Sequence, residues 1–123
     1  MSQKILITGG AGFVGRRLVK SMLEKGYEVL VVDNIVELTG GIDPSGGWPL
    51  YNPYDYKNFI FFKQDCREWF IKNSEIKFDK VFHLAAMVGG REIIENNPLI
   101  VAEDLSIDSH FWQWCSKSKP KKV

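Results

Sequence analysis

Three glycines, Gly9, Gly12 and Gly15, lie between a short apolar run and an amphipathic one, and this junction constrains the chain more than any other feature. Before it, Lys4 to Thr8 carries Ile5-Leu6-Ile7 without polar alternation, the pattern of a parallel strand covered on both faces. After it, from Phe13, the positions Val14, Leu18 and Met22, with Val19 and Leu23 alongside, recur at helical spacing. Lys25 and Gly26 suit the end of that helix, a cation in the last turn followed by a glycine stop. Glu28 to Asp33, with Val29-Leu30-Val31-Val32, reads as a second buried strand. Strand, glycine turn, helix and strand make a βαβ unit, whose crossover is nearly always right-handed.

The glycine spacing has a physical reading. The first permits a sharp turn out of the strand, the second lets backbone approach a pyrophosphate with no Cβ between, and the third lets the helix pack on the sheet. The helix N-terminus, from Phe13 and Val14, adds free N–H groups and partial positive charge. Asp33 stands 18 residues after Gly15, at the end of the second strand. A carboxylate there accepts hydrogen bonds from an adenosine ribose diol and repels a 2′-phosphate, so it favours NAD over NADP. Arg16 and Arg17 are expected to face solvent rather than a 2′-phosphate.

The remaining chain continues the alternation. Asn34 to Asn58 holds four glycines, three prolines and the aromatics Trp48, Tyr51, Tyr54 and Tyr56. It reads as a long loop, more in keeping with ordinary packing than with a lid. Phe59 to Phe62 is a third strand, ending near Asp65, and a short helix follows over Cys66 to Lys72. Lys80 to Leu84 is a fourth strand, closed by the small residues Ala85 and Ala86. A longer helix is expected from about Pro98 to Ser116, with Ile100, Leu105, Trp112 and Cys115 supplying its apolar contacts. Lys117 to Lys122 reads as a loop, and Val123 as the first residue of another strand.

This order predicts an α/β fold, a Rossmann-like doubly wound parallel sheet in strand order 3-2-1-4, truncated after about four strands. The 123 residues make one incomplete domain, with the fourth strand left as an edge unless a fifth pairs with it. A formal net charge of +1 gives no steering toward nucleic acid or an acidic membrane surface. The chain has no apolar run of membrane-spanning length, and Met1-Ser2-Gln3-Lys4 lacks the anatomy of a secretion signal. Cys66 and Cys115 have no CxxC or metal-ligand spacing, so reduced thiols in a cytoplasmic protein, and no metal, are expected.

With these residues in hand, the chain resembles the extended short-chain dehydrogenase/reductase family, the NAD-dependent sugar-nucleotide epimerases and dehydratases. Thr8 to Gly15 is similar to the family's TGGxGxxG turn and Asp33-Asn34 to its acidic end of strand two. Asp65, followed by Cys66-Arg67, looks like the family's adenine-contacting aspartate, and His83-Leu84-Ala85-Ala86 resembles its HLAA segment. The resemblance implies that Gly9, Gly12, Phe13, Val14, Gly15, Asp33, Asn34, Asp65, Cys66, Leu84, Ala85 and Ala86 bind NAD. It implies a nucleotide-sugar substrate and a homodimeric full-length parent.

Two departures accompany it. Where the family has an asparagine and a small-residue pair in the helix after strand four, this chain reads Asp104-Leu105-Ser106-Ile107-Asp108-Ser109. The family's Tyr-x-x-x-Lys has no match after His83, so the chain by itself is expected to bind cofactor without turning over substrate. In such enzymes a tyrosinate takes the hydroxyl proton as hydride passes to NAD. The other reading is a stand-alone, non-catalytic NAD-binding module or redox-sensing subunit.

Met87-Val88-Gly89-Gly90-Arg91 follows HLAA, where open α/β sheets place ligands. A simple flexible turn is the first reading; in the other, Gly89 and Gly90 let backbone lie close to nicotinamide or substrate, and Arg91 reaches a diphosphate. His83 is read as a structural histidine, His110 as a packing or surface residue, and Lys117, Lys119, Lys121 and Lys122 as a solvated turn.

Overall fold

The computed structural model describes residues 3–87 and 91–123. β1 (Lys4–Thr8), α1 (Phe13–Glu24), β2 (Glu28–Asp33), β3 (Phe59–Lys63), α2 (Cys66–Lys72) and β4 (Lys80–His83) follow in turn, and α3 (Arg91–Asn96) and α4 (Pro98–Ser118) come last. All strand pairs are parallel, in the order β3-β2-β1-β4. The expected order and class are those observed.

β1 is apolar without alternation because it is covered on both faces: Ile5, Leu6 and Ile7 are fully buried. On one face, Ile5, Ile7, Val29 and Val31 meet Val19, Met22 and Leu23 of α1, and the same cluster takes in Trp48 and Phe59. On the other, Leu6, Leu30, Val32 and Val81 meet Trp69 and Phe70 of α2 and Ile107, Phe111 and Trp114 of α4. Trp69 and Trp114 are almost wholly buried, and truncating an aromatic of that size in a core costs about 3–5 kcal/mol.

The long segment between β2 and β3 is packed, not draped. Trp48 is buried, its ring edge-on to Tyr51 and Phe59, and its Nε1 donates to the Ile42 carbonyl at 2.8 Å. The Tyr51 hydroxyl donates to the Arg16 carbonyl on α1. Ordinary packing, rather than a lid, is therefore what the aromatics do.

Several expectations need correction. Val14 is exposed, because α1 turns Gly15, Val19, Met22 and Leu23 to the sheet and Val14 falls one position outside that stripe. Leu105 and Trp112 of α4 are exposed as well; the buried stripe is Ile107, Phe111, Trp114 and Ser118, at spacings of four, three and four. The sequence hid this phase because α4 carries apolar residues on both faces. Helix α3 was not anticipated; none of its residues is buried, so it left no core-facing stripe to read. β4 ends at His83, one residue early, because its partner β1 ends at Thr8, paired with His83, and the chain turns away at Gly9 with φ of 68°. Beyond α4, Lys122 forms a parallel bridge with Lys80, so the chain returns beside β4 where a further strand was expected to begin.

Candidate functional site

The carboxyl ends of β1, β2 and β4 open on one edge of the sheet, where α1 departs to one face and α2 and α4 lie on the other. This divergence is where an open α/β sheet forms a crevice. A cavity of about 560 Å³ occupies it. Its lining includes Gly9, Gly12, Phe13, Val14, Gly15, Asp33, Asn34, Asp65, Cys66, Leu84, Ala85 and Ala86, the twelve residues the sequence nominated as one set. Gly89 and Gly90 lie outside the described residues. Arg91 begins α3, is exposed, and pairs with Glu95 at 2.7 Å rather than reaching the cavity.

The glycine turn is shaped by its own backbone. Gly9 has φ of 68°, and a Cβ built there would lie 2.7 Å from the Ala85 nitrogen, so the β1 turn and the β4 turn touch through bare backbone. At Gly15 a Cβ would lie 2.5 Å from the Gly9 carbonyl oxygen, so α1 rests directly on the turn. Gly12 differs: the nearest atoms to its Cβ position are 3.4 and 3.6 Å away, and it faces the cavity. Gly10, passed over in the sequence, packs on the Val31 side chain with only 2.6 Å to spare for a Cβ. No side chain caps α1, leaving the amides of its first turn without intrahelical partners beside the cavity.

Asp33 ties this turn to β2. Its Oδ2 accepts the Ala11 N–H at 2.9 Å and its Oδ1 accepts the Ile35 N–H at 2.8 Å, with Ile35 held at φ of 57°. Each carboxylate oxygen keeps further acceptor capacity toward the cavity. Arg16, expected in solvent, instead bonds two carbonyls of the neighbouring backbone, whereas Arg17 is exposed and lies over the Phe13 ring at 4.1 Å.

At the opposite end, Asp65 caps α2, its Oδ1 accepting Arg67 N–H at 2.9 Å. The Arg67 guanidinium returns to both carboxylate oxygens, and its Nη1 donates to Ser106 Oγ of α4 at 3.2 Å. The Arg67 guanidinium holds the Asp65 carboxyl below the usual carboxylate range. Burial pushes the neighbouring Cys66 thiol up to about 12, so this cysteine is a protonated wall residue and not a nucleophile.

Behind the cavity runs a chain of hydrogen bonds. Ala85 N–H donates to Thr8 Oγ1 at 3.2 Å, leaving the Thr8 hydroxyl to donate to His83 Nδ1 at 2.7 Å. His83 Nε2 then donates to Asp108 Oδ1 at 3.1 Å, and the ring stacks on Phe111 with centroids 4.1 Å apart. Burial lowers the His83 pKa from its ordinary value, against the pull of Asp108. His83 is thus a satisfied structural group, as expected; His110 bonds the Ser106 carbonyl one turn back on α4. Asp104, standing where an asparagine was expected, accepts Met87 N–H at 2.9 Å and holds the turn after β4.

The sequence missed Val32, Val36, Thr39, Arg67, Glu103 and Ile107 as lining residues; Met87, from the turn singled out after β4, lines the cavity as well. Val36 and Thr39 belong to the irregular segment after β2, where no periodicity marks a wall. Glu103 and Ile107 were hidden by the misread phase of α4. Arg67, adjacent to the Asp65-Cys66 pair, and Val32, adjacent to Asp33, carried a local signal.

The arrangement offers an anion cradle at a helix N-terminus, carboxylates at both ends, and a small-residue wall from Leu84 to Ala86. Comparison with known proteins agrees with it. The profile of the family described as "NAD dependent epimerase/dehydratase family" matches residues 5–123. A bifunctional UDP-glucose 4-epimerase and UDP-xylose 4-epimerase 1 of Pisum sativum is 34% identical over 99% of this chain and 35% of its own length. A UDP-N-acetyl-alpha-D-glucosaminuronate decarboxylase of Bacillus cytotoxicus is 30% identical over 100% of this chain and 36% of its own. Among solved structures, the UDP-glucose 4-epimerase of Thermus thermophilus in complex with NAD superposes with a TM-score of 0.65 and 28% identity, over 91% of this chain and 33% of that one. The chain spans about a third of the length of these relatives. On the profile match and the shared architecture together, the chain belongs to the NAD dependent epimerase/dehydratase family.

Proposed function

We propose that these residues are the NAD-binding portion of an NAD-dependent nucleotide-sugar epimerase or dehydratase. The observation that carries the reading is that all twelve residues nominated from sequence line one cavity, with the unobstructed Gly12 and the uncapped start of α1 at its middle. The cavity suits a dinucleotide chemically. Amides of Phe13, Val14 and Gly15 would hold the pyrophosphate. Asp33 would accept from the adenosine ribose, Asp65 and the Cys66 backbone would meet the adenine, and Leu84, Ala85 and Ala86 would lie along the nicotinamide end. NAD bound there supplies a hydride acceptor; the protein's part is to orient it and exclude water.

The nucleotide sugar is proposed as the parent protein's substrate because the matched relatives include proteins named for UDP-sugar epimerisation and decarboxylation. Homodimerisation of the parent is proposed on the outer face of α4, where Leu105 and Trp112 are exposed. The free cysteines Cys66 and Cys115 fit a cytoplasmic setting, and among the described residues no helix is long and apolar enough to cross a membrane. The proton-transferring tyrosine and lysine have no counterpart in these 123 residues, so the chain binds cofactor and does not turn over substrate.

Titration with NADH, followed by fluorescence, tests this directly. Saturable one-to-one binding without interconversion of UDP-glucose and UDP-galactose supports the reading. Absence of saturable binding overturns the cofactor assignment, and measurable interconversion overturns the assignment of chemistry elsewhere.

A further inference from the structure

Ala11, fully buried in the glycine turn, is the meeting point of three elements. Its N–H donates to Asp33 Oδ2 at 2.9 Å. Its carbonyl accepts both Arg16 Nη1 at 2.7 Å and Ile42 N–H at 3.1 Å. The same Arg16 Nη1 donates to the Gly40 carbonyl at 3.0 Å, and Tyr51 from the same segment donates to the Arg16 carbonyl. One arginine on α1 therefore grips the glycine turn and the irregular segment after β2 together. That segment supplies Val36 and Thr39 to the cavity wall, and its Thr39 carbonyl is 3.6 Å from the Cβ position of Gly12.

We propose that Arg16 is a positioning residue for cofactor binding: its guanidinium clamps residues 36–42 against the Ala11 peptide and thereby sets both the ribose-end wall and the Asp33 carboxylate. The proposal rests on the reading that the cavity holds NAD, and it assigns Arg16 no contact with the cofactor. A long connection ordered on one side of a site has a large conformational entropy to suppress. Two hydrogen bonds from a charged donor to backbone carbonyls suppress it at the point nearest the cavity. Loss of the guanidinium leaves the Gly40 carbonyl without that donor and the Ala11 carbonyl held by Ile42 N–H alone, which loosens the peptide that Asp33 accepts from. A lysine keeps the charge and a single donor nitrogen but is one atom shorter than the path to Arg16 Nη1, which makes both bonds, so Arg16→Lys restores part of the effect.

The experiment uses the whole chain with Arg16→Ala and Arg16→Lys, each digested with chymotrypsin and titrated with NAD. In the alanine variant the clamp predicts cleavage after the half-exposed Leu38 faster by on the order of tenfold, and NAD affinity weaker by on the order of tenfold, the scale of a lost charge-assisted hydrogen bond. Cleavage at sites outside residues 36–51 stays unchanged, the lysine variant falls between, and saturating NAD slows cleavage after Leu38 in the unsubstituted chain. Equal cleavage and equal affinity in Arg16→Ala overturn the proposal. So does uniform acceleration at every site, which reports global destabilisation rather than release of one segment. If the alanine variant does not fold, the lysine variant decides: behaviour identical to the unsubstituted chain overturns the clamp. If the unsubstituted chain binds no NAD, the cofactor reading fails, while the cleavage contrast still judges the clamp.

Discussion

The carboxylate of Asp33 accepts the backbone N–H of Ala11 at 2.9 Å, so the acid at the end of β2 and the glycine turn after β1 are mechanically one unit. An aspartate nominated for a ligand's ribose thus also holds the protein's own backbone. Asp33→Ala removes the acceptor for both Ala11 and Ile35 amides. We expect it to lower unfolding free energy by about 1–3 kcal/mol in chemical denaturation, and to weaken NAD binding by a similar amount. Asp33→Asn, which keeps one acceptor oxygen, should fall between; an alanine variant as stable as the unsubstituted chain would contradict the brace.

The glycines separate structural from ligand roles. Gly15→Ala forces a Cβ to within 2.5 Å of the Gly9 carbonyl and should cost about 1–3 kcal/mol of stability, the range for overpacking. Gly12→Ala meets nothing closer than 3.4 Å and should cost less, while obstructing the approach of a pyrophosphate. Thermal melting paired with NAD titration checks the contrast: stability lost first at Gly15, affinity lost first at Gly12.

How far this was legible from sequence varies by element. β1, β2 and the extent of α2 were readable because each is a short run bounded by glycines or by a capping aspartate, and local chemistry alone sets such limits. The glycine turn, the start of α1 and Asp33 were legible from spacing and chemistry, whereas Asn34, Asp65, Cys66, Leu84, Ala85 and Ala86 joined the set only through the family resemblance. Helix α4 resisted for a physical reason: with Leu105 and Trp112 outside and Phe111 and Trp114 inside, apolarity gives no unique phase, and only the sheet decides it.

That phase is itself testable. Phe111→Ala should destabilise the chain by about 3–5 kcal/mol, since Phe111 is buried against His83 and Trp114. Trp112→Ala should stay within about 0.5 kcal/mol in the same denaturation series. Equal losses would place the helix in the wrong rotation.

Stability should also depend on pH through His83. Burial lowers its folded-state pKa from the ordinary 6.5, so the unfolded chain binds the proton more readily. The contribution is present in full above about pH 6.5 and is lost as pH falls from there toward the folded pKa. Melting temperatures should decline across this window in the unsubstituted chain, and less so in His83→Gln; a parallel decline in both would assign the dependence to other groups. Asp65, whose pKa Arg67 holds down, acts in a separate window, its stability lost only as pH falls through and below the ordinary 3.8.

The crevice above β1, β2 and β4 is proposed as a site for NAD with Asp33 at the ribose end. Isothermal titration of the unsubstituted chain with NAD and with NADP tests it most directly. Saturable one-to-one binding of NAD, weaker binding of NADP, and loss of that preference in Asp33→Ala are expected. Tighter binding of NADP, or a preference that survives in Asp33→Ala, would contradict it.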